Sequence, residues 1–108
     1  MTRQELLAAA EKCVCQDRNE QYGKPENNFA RIADYWGVYL NETITAEDVA
    51  VMMILMKIAR VGSSGYSSMD SWTDVAGYAA CGAEIAWMHM MAEDNAESLA
   101  YDAAEDEG

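Results

Sequence analysis

Residues 45–79, TAEDVAVMMILMKIARVGSSGYSSMDSWTDVAGYA, decide the fold, because they spell a helix, a stop and a second helix in 35 positions. Thr45-Ala46-Glu47-Asp48 reads as a cap followed by first-turn acids that complement the helix dipole. The helix it starts, about Ala46 to Val61, is apolar nearly all round through Val49, Met52, Met53, Ile54, Leu55 and Met56, which predicts the central, buried helix. Gly62 to Ser67 is the clearest loop in the chain. Ser68 or Asp70 can then cap a long last helix reaching at least Met91, with an expected core stripe of Trp72, Val75, Ala79, Gly82, Ile85 and Ala86.

Upstream, Thr2-Arg3-Gln4-Glu5 is a capping box for a first helix running to about Cys15, with Leu6, Leu7, Ala10 and Val14 apolar. Gln16 to Lys24 is polar and contains Tyr22-Gly23, so a helix stop or loop is expected there. Pro25 suits the first turn of a second helix, whose Phe29, Ile32, Trp36 and Tyr39 share one face. Asn41 to Ile44 reads as a turn, and beyond Ala92 the chain becomes acidic and alanine-rich. The expectation is an all-α, four-helix bundle-like domain over residues 1–92, with a long C-terminal helix and an acidic tail or fraying helix over 93–108.

Composition agrees with that reading. The chain has 108 residues, enough for one core, and a single proline. Burying about 65% of the unfolded surface is expected at this size, without staples. No apolar run approaches the roughly 18 residues of a membrane span, and Met1 to Ala10 lacks the basic-then-apolar order of a secretory signal, so a cytoplasmic protein is expected. Cys13, Cys15 and Cys81 form no CxxC pair and have only His89 to join them, which predicts reduced thiols, with Cys81 a small core residue, and no zinc.

All seven Lys and Arg lie within residues 1–60, against nine acids there; ten further acids follow from Val61 onward, for a net charge of −12. Such a charge repels nucleic-acid backbones and argues against a duplex binder. It leaves room for a small phosphorylated ligand in a pocket that gathers a few cations.

Two clusters carry what chemistry there is. Lys57 and Arg60 share a helical face, as do Asp70 and Asp74, and the short loop makes their helices antiparallel neighbours. Packing about that loop pairs positions whose numbers sum to about 130, placing Arg60 opposite Asp70 and Lys57 opposite Asp74 or Thr73. One reading is a partly buried salt-bridge network that sets helix register. The other is a polar site in which the cations meet phosphate oxygens and the aspartates orient them or hold a divalent cation. The second cluster, Arg18, Asn19, Tyr22, Gly23, Lys24 and Asn28, combines cations, amides, a ring and a glycine that lets a ligand approach the backbone. Its structural alternative is a helix end with local hydrogen bonds. Trp36 and Trp72 fit a core better than a base-stacking platform, and His89 fits a satisfied, partly exposed histidine. No GxGxxG, Walker loop or GxSxG elbow is present, which removes dinucleotide, P-loop and hydrolase templates.

Asp17-Arg18-Asn19, Tyr22-Gly23-Lys24-Pro25, Asn28-Phe29, Arg31-Ile32-Ala33 and Trp36, then Lys57-Ile58-Ala59-Arg60 and the run from Asp70 through Tyr78 to Ala80, resemble a family of small phage and prophage proteins of uncharacterised function over about residues 5–87. That family in turn is similar, distantly, to the MazG-type all-α nucleotide pyrophosphohydrolases through its KxxR helix, loop and DxxxDxxGY helix. Those enzymes hold Mg²⁺ with an ExxE pair and an ExxD pair and convert nucleoside triphosphates to monophosphates. On this chain Asp74 matches the last aspartate, Ser71 stands in place of the glutamate, and Lys57 and Arg60 stand where carboxylates would be expected. The resemblance therefore implies a phosphorylated nucleotide as ligand, with Arg18, Lys24, Lys57 and Arg60 on phosphates and Tyr22, Trp72 and Tyr78 beside the base. It favours binding without turnover, as in sequestering a nucleotide signal of host defence, with no metal or cofactor. Mg²⁺ on Asp70 and Asp74 belongs to the alternative, a pyrophosphohydrolase. A purely structural or protein-binding module is the third possibility, with Met52, Met53, Met56, Met88, Met90 and Met91 as an adaptable surface. Apolar surface in excess of what four short helices cover predicts a homo-oligomer, most simply a dimer.

Overall fold

The computed structural model describes residues 1–107, and the side chains of all of these except Arg18 and residues 97–107. Its elements are α1 (Arg3–Lys12), a π-helical segment (Cys13–Asp17), α2 (Arg18–Tyr22), α3 (Pro25–Leu40), α4 (Ala46–Ser63) and α5 (Met69–Glu107), with no strand among the described residues. The first three run on as one helical stretch, so the fold is four helices. The acidic extension expected over residues 93–108 falls largely outside the described side chains.

Local chemistry sets the helix starts. Thr2 and Thr45 each accept a hydrogen bond from the backbone N–H three residues on, Glu5 and Asp48, and the two carboxylates accept from the cap N–H groups in return. Of the two caps expected for the last helix, Ser68 is used: its hydroxyl accepts from the Ser71 N–H at 3.3 Å. Pro25 occupies the first turn of α3, and Asn41 ends that helix in the left-handed conformation.

Of the helix stop or loop expected over Gln16–Lys24, the stop is present at Gly23, but no loop precedes it and the first helix does not end at about Cys15. A π turn at Cys13–Asp17 carries the helix on to Tyr22, and only Gly23, at φ +80°, stops it. The wider turn rotates the polar end of this stretch relative to α1 without breaking the backbone hydrogen-bond ladder, which polarity and a Tyr-Gly pair could not reveal.

α4 and α5 form an antiparallel hairpin with the most extensive contact in the molecule. α1 lies on α5 and α3 on α4, both on the same side of the hairpin. The core between these layers consists of Phe29, Ala33, Ala46, Val49, Ala50, Tyr78, Cys81 and Ile85, with Val14, Ile32, Trp36, Ile44, Met53 and Ile54 packed against it. Gly82 sets the approach of the two long helices, since a Cβ there would stand 2.8 Å from that of Ala50. Cys81 is a small core residue as expected.

Three expectations about burial are corrected. α4 is not buried all round: Ala46, Val49, Ala50 and Val61 are covered, while Val51, Met52, Leu55, Met56 and Ile58 are exposed. The α5 stripe holds at Ile85 and at Gly82, which packs on Ala50, and fails at Trp72 and Ala79. Ser71, Thr73, Gly77, Tyr78, Cys81 and Ile85 face inward, and Trp72 and Ala79 face out. On α3 the expected face holds for Phe29, Ile32 and Trp36 but not for Tyr39, which is 88% exposed. Apolar periodicity marks which residues could be buried; the number of covering layers decides which are.

Candidate functional site

Part of the first polar cluster, Tyr22, Gly23 and Asn28, meets one member of the second, Asp74, on the covered side of the hairpin. Tyr22, Gly23, Pro25, Asn28 and Phe29 from the α2–α3 junction line one cavity with Thr73, Asp74, Gly77, Tyr78 and Cys81 from α5 and with Cys13 and Val14 from the π segment. This cavity is narrow, about 30 Å³, room for water rather than a nucleoside. Beside it, sharing Tyr22, Asn28, Phe29 and Tyr78, lies a more open groove of about 420 Å³ completed by Gln21, Ile32 and Met53. A volume of that size is within the range of small-molecule sites, about 300–1,000 Å³.

Lys57 lines neither space and reaches the cavity only through Asp74. Its Nζ lies 2.7 Å from Asp74 Oδ2, and the side chains are 12% and 20% exposed, so the pair is largely withdrawn from water. Asp74 also interacts beyond Lys57, and Tyr78 and Cys81 likewise have further partners. The Phe29 and Tyr78 rings, 6.1 Å apart and tilted by 41°, form the aromatic wall between cavity and groove. Thr73 is buried, with its hydroxyl donating to the Met69 carbonyl at 2.8 Å. Ser71, also buried, exchanges a 2.8 Å hydroxyl hydrogen bond with Ser68.

The remaining expected site residues are dispersed. Arg60 and Asp70 are both exposed and form no ion pair with each other among the described residues, which corrects the expected four-charge convergence to a single pair, Lys57–Asp74. The physical reason is position: Lys57 projects between the helices, whereas Arg60 and Asp70, near the loop, reach solvent. Trp72 turns outward, its indole N–H donating to the Tyr66 carbonyl at 3.1 Å. Asn19 lines a separate groove with Val14, Cys15, Pro25, Ala80, Cys81 and Glu84, and its amide donates to the Cys15 carbonyl at 3.5 Å. Lys24 is exposed, and the Arg18 side chain lies outside the described residues.

A family model described as a domain of unknown function, DUF6378, matches residues 5–86. The chain belongs to this family. Two phage proteins are similar to this chain: the Gene 55 protein of Mycobacterium phage D29, 49% identical over 76 residues (70% of this chain and 50% of that protein), and the Gene 55 protein of Mycobacterium phage L5, 47% identical over 75 residues (68% and 47%). The chain thus spans about half the length of the curated relatives it matches. No solved structure matches it.

In this DUF6378 chain the donor set does not fit a resident Mg²⁺. Asp74 is engaged by an ammonium, Ser71 offers a hydroxyl already bonded to Ser68, and no group of three or more His, Cys, Asp or Glu side chains is placed to hold a metal among the described residues. His89 is partly exposed, with Nδ1 3.1 Å from Glu47, and joins α5 to the start of α4 rather than to any cysteine. No helix among the described residues is long and apolar enough to cross a membrane.

Gln21, Phe29, Ile32 and Met53 also line the groove, and nothing in the sequence marks them for a site. Phe29, Ile32 and Met53 carry the same apolar signal as any core residue, and Gln21 sits in a polar stretch that reads as loop. No pattern in the sequence separates a groove wall from a core wall.

Proposed function

We propose that this DUF6378 protein binds a phosphorylated nucleotide in the groove between the α2–α3 junction and the α4–α5 hairpin, and holds it without turnover. The observation that carries the reading is the convergence of Tyr22, Gly23 and Asn28 with Asp74 and Tyr78 on one cavity that adjoins a groove of about 420 Å³. The aromatic and apolar wall of Tyr22, Phe29, Met53 and Tyr78 suits a base. The Asn28 amide can hydrogen-bond its polar edge, and Lys57 beside Asp74 supplies a cation for phosphate.

The resemblance to MazG-type proteins supports the same ligand class. The absence of turnover rests on the donor set around Asp74, which does not suit the metal-dependent reaction of those enzymes. For a protein with phage relatives, sequestration of a nucleotide signal in the host cytoplasm fits binding of this kind.

Thermal-shift and calorimetric titrations with ATP, GTP, their monophosphates and cyclic nucleotides, each with and without Mg²⁺, test the proposal. The expected result is stabilisation by at least one of these without Mg²⁺, lost in Asn28→Ala, with the nucleotide recovered unchanged. Silence from every probe at millimolar concentration defeats it in favour of a structural module. Mg²⁺-dependent release of pyrophosphate that vanishes in Asp74→Asn would replace it with the enzyme.

A further inference from the structure

The side of the α4–α5 hairpin turned away from α1 and α3 is uncovered. On α4, Val51, Leu55, Ile58 and Gly62 recur at helical spacing, with Met52 and Ala59 beside them. On α5, Trp72, Ala76, Ala79, Ala83 and Met90 recur in the same way, with Trp87 alongside. Both sets lie opposite the buried residues of their own helices. Because the helices are antiparallel neighbours with one core, the two sets form one continuous face.

Charge on that face is confined to its end away from the Gly/Ser loop, at the exposed Asp48 one turn before Val51 and the exposed Asp94 one turn beyond Met90, in a chain whose net charge is −12. Lys57 is turned inward to Asp74. Glu84, the one acid between Asp74 and Glu93, lies toward α1, in the groove it shares with Val14, Cys15 and Asn19. From the fractional exposures of Val51, Met52, Leu55, Ile58, Trp72, Trp87 and Met90, these seven side chains leave on the order of 700 Å² open, more than the roughly 300–600 Å² of the largest patch on a typical monomer. A partner in a standard stable interface contributes about 800 Å².

We infer that this face is the dimer interface of the protein, occupied by the same face of a second copy. The relief is self-complementary. Val51, Leu55 and Ile58 make a ridge of large side chains on α4, and Ala76, Ala79 and Ala83 make a shallow trough beside it on α5. A two-fold axis lays each ridge into the trough of the other copy, with Trp72 and Trp87 closing the ends. Two chains of this charge repel one another over most of their surfaces, and the stretch of this face between Val51 and Ile58 and between Trp72 and Ala83, which carries no charged side chain, is where they can meet closely. The dimer would then be a two-fold stack of hairpins with its nucleotide grooves on the outer sides, so the inference stands independently of the proposed ligand.

Sedimentation equilibrium of the full chain from 1 to about 100 µM, with circular dichroism to check helicity, tests it. The parent chain is expected to be a dimer at tens of micromolar. Leu55→Glu and Ala79→Arg, at exposed positions on the two helices, should each leave a helical monomer over the whole range, because each buries an unpaired charge in the interface. Tyr39→Glu, on the exposed side of α3 away from this face, should remain a dimer. A parent that is monomeric at 100 µM, or dimers that survive both substitutions on the face, would overturn the inference. So would dissociation by Tyr39→Glu alone.

Discussion

The two faces of the α4–α5 hairpin have similar apolar content and opposite fates. The inner face carries Val49, Ala50, Tyr78, Cys81 and Ile85, is roofed by α1 and α3, and holds a largely buried ion pair, Lys57–Asp74. The outer face carries Val51, Leu55, Ile58, Trp72 and Trp87 and has no roof within the chain. Hydrophobicity therefore does not rank positions by burial in so small a protein; the supply of covering helices does.

The comparison breaks most visibly at Ile85, which is 2% exposed at the centre of the inner face. Ile85→Ala should cost about 3–4 kcal/mol of unfolding free energy, from lost transfer energy and the cavity left behind. Urea denaturation followed by circular dichroism measures it, and a loss below about 1 kcal/mol would mean that the two faces are not energetically distinct.

Lys57→Gln sharpens the comparison at its polar point. Removing one partner of a buried pair costs about 3–5 kcal/mol. The lower end, about 3 kcal/mol, is expected here, because both side chains keep some exposure and Asp74 has interactions beyond Lys57. Where a nucleotide from the titration panel binds the parent, its affinity for the folded variant should fall roughly ten- to hundredfold, the value of a charge-assisted phosphate contact. A variant that loses stability and keeps full affinity would make the pair structural alone.

The smallest effect belongs to the outer face. Leu55 is 59% exposed, and Leu55→Ala in the dilute monomer should change unfolding free energy by no more than about 0.5 kcal/mol. The same substitution should lower the melting temperature more at high protein concentration than at low, because the parent then gains stability from association. A concentration-independent difference would count against a roof supplied by a second copy.

Signals confined to one turn of the chain are legible in the sequence alone. Thr2 and Thr45 with their carboxylates three residues on, the Gly/Ser loop before Ser68, and Pro25 at the start of α3 all act through the nearest backbone groups. The antiparallel pairing of Lys57 with Asp74 is legible as well, since a short loop leaves two helices few registers to choose from. Signals that depend on a third element are not. Gln16–Lys24 reads as a helix stop or loop because it is polar and contains Tyr22-Gly23, yet its first seven residues stay helical, because a π turn lets the helix continue past the end of α1 as far as Tyr22. Arg60 and Asp70 satisfy the same pairing rule as Lys57 and Asp74, yet both are exposed and form no ion pair with each other among the described residues.

By itself, then, the amino-acid sequence determined the all-helical class, the main helix starts, the hairpin at its centre and the residues available to a site, because these depend on hydrogen bonds and sterics over a few residues. Tertiary structure alone decided which apolar face of α4 and α5 is covered, and that Tyr22, Asn28, Asp74 and Tyr78 share one cavity. Both depend on where α1 and α3 come to rest, a choice made by packing between segments far apart in the chain.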